Sequence, residues 1–338
     1  MRRLTNYLNS HFFSSFLTFL LPLFGIASLI FFVKIVSMTS IIRIDLLELL
    51  EMFFYLLPQI LFFTLSISFF IAAVSTLYRL SYEFELIATF ALGISPNKIL
   101  KPFFKQAILL SIILSIFGLI LIPQAKQLYK GFITHKKREL QLNIKPNDYG
   151  HKFGSWLLFI QGKQDNHYID VALYSQDTQK KENFILASKA TISNSPRGIK
   201  LTLFNGKAFS YDKETLQQIT FEKMEIYDRS SSRVFHYTEI LNYWKEAFKN
   251  KKRAFDMTFF LFIAFFPLSS IYLVGYLGIT NTRYERRNIF FSSLMATLLY
   301  FALAFGVAKP LGLKALIFLP IWMLIGYILF RKKILKRY

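Results

Sequence analysis

Apolar positions along the chain gather into six runs, at 12–33, 53–78, 106–123, 256–279, 289–308 and 314–330. A polar block at roughly 126–252 divides them three and three. About 20 consecutive apolar residues cross a bilayer as a helix. The pattern therefore predicts three transmembrane helices in residues 1–125, an inserted domain over 126–252, and three more helices in 253–338. The first run is too long for the core of a secretory signal and reads as a retained helix. Pro22 with Gly25, Pro58 and Pro267 fall inside runs, where each is either a tolerated feature or a bend.

Inside the polar block the period changes. GSWLLFIQGKQDNHYIDVALYS (154–175) predicts two strands around a polar turn. NFILASKATISN (183–194) and QITFEKMEIYD (218–228) predict half-buried strands, the second with Ile219, Phe221, Met224 and Ile226 in partial alternation. Asn205-Gly206 within TLFNGKAFSYD (202–212) is a hairpin-turn signal. Several short strands at regular spacing suggest an all-β sandwich or jelly roll. Phe153, Trp156, Phe159, Phe204 and Phe221 read as its core or, were it open at one end, as the lining of an acyl-chain groove. An open β edge can accept a strand from another chain. Helical connectors are expected at 123–142 and at 238–256, the second from Ile240, Tyr243, Trp244 and Phe248.

Composition and charge add orientation. With 39 Phe in 338 residues and a formal charge of +21, a soluble protein would suggest nucleic acid. Here much of the charge flanks apolar runs. Arg2, Arg3, Arg79, Lys98, Lys101, Lys105, Arg283, Arg286, Arg287 and the tail from Arg331 to Arg337 fall at one set of ends. Lys34, Arg43, Lys309 and Lys314 fall at the other. Basic residues in short loops stay cytoplasmic, which predicts both termini inside and the β domain outside. There is no cysteine, so disulfides, Cys-metal sites and thiol chemistry are excluded. No P-loop, H-E-x-x-H or G-x-S-x-G occurs, and the five His show no ligand spacing.

RLSYEFELIATFALGISPNKIL (79–100) interrupts this scheme. Ser81 is a candidate N-cap and Glu83 suits the first turn of a helix over 81–93. Phe84, Ile87, Ala88, Ala91 and Leu92 recur at helical spacing as an apolar face. Gly93 fits the C-cap, and Ser95-Pro96 restarts a helix. Such a helix lies either among headgroups or in a groove on a partner protein. Surface-seeking helices favour Lys and Arg on the polar face; residues 80–97 have none and carry Glu83 and Glu85, which favours the partner. Lys34, Arg43, Lys309 and Lys314 likewise have two readings. They snorkel or are solvated, or they form a basic outer rim for anionic lipid phosphates. Arg43 is followed closely by Asp45, Glu48 and Glu51, which can pair with it.

ELIATFALGIS (85–95) resembles the coupling-helix pattern of the lipopolysaccharide export permeases LptF and LptG: Glu-Leu, a short helix, then Ala-x-Gly-x-Ser. The 3 + 3 layout around a β domain also resembles that family, and LTLFNGKAFSYD followed by ITFEKMEI looks closer to LptF. The resemblance implies a six-span helical permease with a periplasmic β jelly roll, in a bacterial inner membrane. It implies a heterodimer with an LptG-like subunit, and an LptB-like ATPase dimer that holds ATP and Mg, with no cofactor in this chain. It further implies LptC-like and LptA-like bridge proteins and lipopolysaccharide as substrate. Glu85, Leu86, Gly93 and Ser95 take the coupling-helix positions, and Lys34 the phosphate-facing position of the first span. Where the family often has Arg, this chain has Phe90. The alternatives are a mechanotransmission ABC subunit that conducts no lipid, a membrane enzyme acting on envelope glycans or lipids, and a scaffold for the bridge. Three spans before the domain argue against the first. No polar catalytic cluster supports the second.

Overall fold

The computed structural model describes residues 2–37, 45–142, 150–164, 167–176, 182–195, 198–212, 215–228, 237–280 and 288–336. Arg43, Arg283, Arg286 and Arg287 lie outside these residues. The chain forms two compact units: a helical one (1–37, 46–129 and 238–338) and one centred on 130–237.

The helical unit begins with α1 (Arg2–Val36) and α2 (Leu46–Tyr82), then a short α3 (Glu85–Ala91) and α4 (Pro96–Ile116). A π-helical turn, Phe117–Leu121, leads without a break into α5 (Ile122–Leu142), the first expected connector. After the β domain come α6 (Ile240–Lys245), α7 (Lys251–Ser269), α8 (Ile271–Gly278), α9 (Ile289–Leu311) and α10 (Phe318–Phe330). The second connector is not one helix over 238–256. It breaks after Phe248, and Asn250 caps α7 by accepting from the Lys252 N–H at 2.9 Å.

Among the described residues four helices are long and apolar enough to cross a membrane, or five when α7 and α8 count as one bent span. The last of these, Ile289–Leu335, is a hairpin. Gly312 takes φ +53° between α9 and α10, and the Tyr300 ring lies 5.2 Å from that of Trp322. Folded back, this segment supplies two passes, which gives the six that the apolar runs predict.

α1 and α2 continue as single helices through Pro22 and Pro58, whereas α7 ends two residues after Pro267 and the chain turns by 46° into α8. Proline has no N–H to give the carbonyl four residues back. That carbonyl, of Ile263, instead accepts from the buried Ser66 hydroxyl of α2 at 2.9 Å. The Phe262 carbonyl accepts from the Tyr300 hydroxyl at 2.8 Å. At the bend, the Trp322 indole N–H donates to Ser270 Oγ at 3.0 Å. In a hydrocarbon surround with no water to take their place, such side chains satisfy a broken helix. α2, α9 and α10 therefore fix the bend of α7–α8.

The second unit is one six-stranded antiparallel sheet in chain order: β1 (His151–Phe153), β2 (Trp156–Gln164), β3 (His167–Gln176), β4 (Glu182–Ser195), β5 (Gly198–Asp212) and β6 (Thr215–Asp228). Among the described residues it is a single-sheet meander, the inserted all-β domain that the strand spacing predicts. Leu158, Val171, Leu173, Ile185, Leu201 and Leu203 form its core with Phe153, while Phe159 is exposed.

The Asn205-Gly206 turn is a further correction. β5 runs straight through it and keeps one register with β4 and β6 on both sides. Asn205 has φ +49° there, and Asp170 in β3 has φ +50°. Asn and Asp are the non-glycine residues that tolerate this region best. By register, Asp170, Ser188, Asn205 and Glu222 form one row across β3 to β6. At that row the inward face changes parity in every strand: Val171 and Leu173 against Tyr168, Ile185 and Ala187 against Ala190, Leu201 and Leu203 against Ala208, Phe221 against Met224 and Ile226. The sheet carries a crease at which the pairing skips this row and alternation shifts by one residue, with one register on both sides. Gly206 lies beside it because a Cβ there would stand 2.3 Å from the Leu186 carbonyl oxygen.

Candidate functional site

The stretch between α2 and α4 is built differently from its sequence reading. Ser81 does not start a helix. It is buried in the last turn of α2, where its hydroxyl donates to the Gly278 carbonyl at 3.1 Å and accepts from the Thr280 N–H at 3.3 Å. α2 therefore continues to Tyr82, and the Ser81 start of an 81–93 helix gives way to Glu85–Ala91. The chain turns at Phe84, whose φ of +62° breaks the helical run. Glu83 consequently lies outside α3 and pairs with Arg79 at 3.7 Å.

Both ends of α3 are marked by left-handed residues, Phe84 before it and Gly93 after it. At the C-terminus the Gly93 N–H donates to the Phe90 carbonyl at 2.9 Å and the Ile94 N–H to the Thr89 carbonyl at 3.3 Å. This pair of bonds is a Schellman motif, which needs a residue at ease with positive φ. Ser95 then takes the N-cap position of α4 with Pro96 at the first helical position, as the sequence predicts. The Ser95 hydroxyl makes no capping bond.

The short helix is held by one face and open on the other. Leu86 is buried, and Phe90 and Ile94 pack against the helical core. Phe90 thus points into its own chain. Ile87 is half-buried; Ala88 and Ala91 are exposed, Phe84 is 53% exposed and Leu92 81%. The face expected to be apolar is largely the outward one.

Glu85, the first residue of α3, is tied to the other end of the sequence. The Tyr7 hydroxyl of α1 lies 2.9 and 2.8 Å from its two carboxylate oxygens and donates to them. Tyr7 and His11 are one helical turn apart, with ring centroids 4.3 Å apart. His11 Nδ1 in turn meets the Arg79 guanidinium, and Arg79 reaches Glu83. This chain of contacts joins α1, the end of α2 and α3. The sequence reading missed Tyr7 and His11; the signal was a polar aromatic pair at i, i+4 just before the first apolar run.

Lys34, in the last turn of α1, and Lys309, in the last turn of α9, are exposed, as is Lys314 in the turn before α10. All three lie at the end of the helical unit remote from α3. Among the described residues none makes an ion pair, and no contact brings the three together. Among the described residues there is also no group of three or more His, Asp or Glu that could hold a metal.

A family model for the lipopolysaccharide export system permease LptF/LptG matches residues 6–331. The chain belongs to the LptF/LptG family. The match covers both the helical unit and the inserted sheet, and the family model is common to the F and G subunits. No curated protein matches the chain significantly. Members of the LptF/LptG family are permease subunits of lipopolysaccharide export and not themselves catalytic. With its apolar helices, the chain is a multi-pass inner-membrane permease.

Proposed function

We propose that the chain is the F-like transmembrane subunit of an ABC-type lipopolysaccharide exporter. It pairs with a G-like paralogue and is driven by an LptB-like ATPase dimer. Both termini and α3 lie in the cytoplasm, and the β sheet lies in the periplasm, where it hands lipid to LptC-like and LptA-like proteins. The observation that carries this reading is α3 itself. It is a short acidic helix, fastened through Leu86, Phe90 and Glu85, that turns Phe84, Ala88 and Leu92 outward. An apolar helical face presented on rigid supports suits a groove on a partner.

In this reading Glu85 anchors the helix to α1 through Tyr7, and the exposed apolar residues enter the ATPase. Movement of the ATPase would pass through Glu85 to α1, whose far end carries Lys34. Lys34, with Lys309, Lys314 and Arg43, would meet lipid phosphates at the outer surface.

The test is affinity purification of the tagged chain in mild detergent with Leu92→Asp and Glu85→Ala variants. The expected result is recovery of a P-loop ATPase, a second permease and lipopolysaccharide with the parent chain. Leu92→Asp should lose the ATPase, and Glu85→Ala should weaken its retention and its activity. If both variants retain the ATPase in full, α3 is not the coupling helix. Recovery of ATPase without lipopolysaccharide would replace export with mechanotransmission.

A further inference from the structure

Between α8, α9 and α10 the helical unit carries an apolar groove of about 360 Å³. Leu273, Leu277 and Trp322 are buried at its base, and Tyr276 and Leu329 are half-buried at its sides. The Trp322 indole N–H is already engaged by Ser270, so the groove sees only the apolar ring system. Gly326 lets α10 approach the α8 backbone at Leu273, and the small Ala296 lines the groove from α9.

The Tyr276 side of the groove is cationic. The Lys333 ammonium stands 5.3 Å from the centroid of the Tyr276 ring, a groove wall. Lys333 follows Leu329 by one helical turn, and Arg331 and Lys332 are exposed beside it. An apolar slot with fixed positive charge beside it is complementary to an amphipathic anion.

Its length and lining suit one occupant. From Phe291 to Leu299 the groove follows α9 for about 12 Å at 1.5 Å per residue, between apolar walls and beside a fixed cation, which matches a stretch of a single acyl chain that carries an anionic headgroup. We propose that this groove binds one acyl chain of an anionic phospholipid, with the lipid phosphate held at Lys333. The site lies at the α3 end of the helical unit, because Ser81 at the end of α2 bonds Gly278 at the end of α8. It is therefore remote from Lys34, Lys309 and Lys314 and separate from any lipid that those residues meet. It depends on the membrane-spanning fold and not on the export reading.

The chain has three Trp, so Trp156→Phe with Trp244→Phe leaves Trp322 as the reporter. The full-length chain is reconstituted in phosphatidylcholine vesicles containing a minor fraction of acyl-brominated phosphatidylglycerol or acyl-brominated phosphatidylcholine, and quenching of Trp322 fluorescence is measured. Brominated phosphatidylglycerol is expected to quench more strongly at equal fraction. Lys333→Gln, which removes the ammonium from beside Tyr276, should lower that preference about fivefold. Ala296→Phe, which fills the groove, should abolish quenching by both lipids. Equal quenching by the two lipids would show contact with bulk lipid only and overturn the proposal. So would quenching that survives Ala296→Phe, or an absence of quenching, which would mean that protein covers the groove. Lipopolysaccharide recovery in the purification above is a separate readout, so the two ideas fail independently.

Discussion

Gln127 and Thr238 lie 111 residues apart and share three hydrogen bonds. The buried Gln127 amide donates to the Thr238 carbonyl at 3.1 Å and accepts from its N–H at 2.8 Å and its hydroxyl at 3.0 Å. One side chain thus satisfies both backbone groups of a residue at the point where the chain returns from the inserted domain. Gln127→Ala is expected to destabilise the helical unit by about 1–3 kcal/mol, the penalty for buried polar groups left without partners. Gln127→Glu keeps both acceptor bonds but loses the donor and should fall between. Thermal unfolding of the detergent-solubilised chain measures both.

Tyr7→Phe removes only the hydroxyl that fastens α3 to α1. A hydrogen bond contributes about 1 kcal/mol net, so local opening of α3 should rise about fivefold. Hydrogen exchange over Glu85–Ala91 reads this directly. Unchanged exchange would mean that Leu86 and Phe90 alone hold the helix.

At the α7–α8 bend the expectation is a suppression. Ser66→Ala strips the Ile263 carbonyl of its donor, at a cost of about 0.6–1.7 kcal/mol for an interhelical bond in a membrane. Pro267→Ala returns a backbone N–H to the same carbonyl. The double variant should therefore lose less stability than the sum of the singles, which a double-mutant cycle on thermal unfolding measures. Strict additivity would show that Ser66 does not substitute for the missing donor.

Gly206→Ala places a methyl group against the Leu186 carbonyl and the Phe221 ring. Overpacking of this kind costs about 1–3 kcal/mol. The loss should appear in the unfolding of the β domain and leave that of the helical unit unchanged.

Glu225 supplies a pH dependence. The Tyr227 hydroxyl, then the Lys223 and Lys200 ammonium groups, hold its carboxyl at about 2 against an ordinary 4.5. A depressed folded value means that its contribution is complete above about 4.5 and vanishes as pH falls toward 2. Unfolding of the parent and of Glu225→Gln should accordingly differ at pH 6 and converge near pH 2.

Most of the architecture was legible because membrane-length apolar runs have few other solutions. The strands at 156–176, 183–194 and 218–228 were legible for a related reason: alternation over a half-buried sheet. What was misread was continuity. Asn205-Gly206 carries every local mark of a turn, but the ladders on both sides outweighed it. The partial alternation of Ile219, Phe221, Met224 and Ile226 already contained the shift at Glu222, though one strand could not show that its neighbours shift with it. At the candidate site, Ser81 has the local chemistry of a cap, yet a tertiary bond to Gly278 kept it inside α2. Glu85 could be named as a candidate from its own segment, while Tyr7, 78 residues away, is joined to it only in three dimensions.

The crease acts as a gauge mark for anything that would lengthen the sheet. Among the described residues β6 is an edge strand, and a strand laid along it would meet alternation of one phase before Glu222 and of the other after it. A uniformly alternating segment can match only half of that edge. A chain that paired along all of it would need its own phase change at the same height.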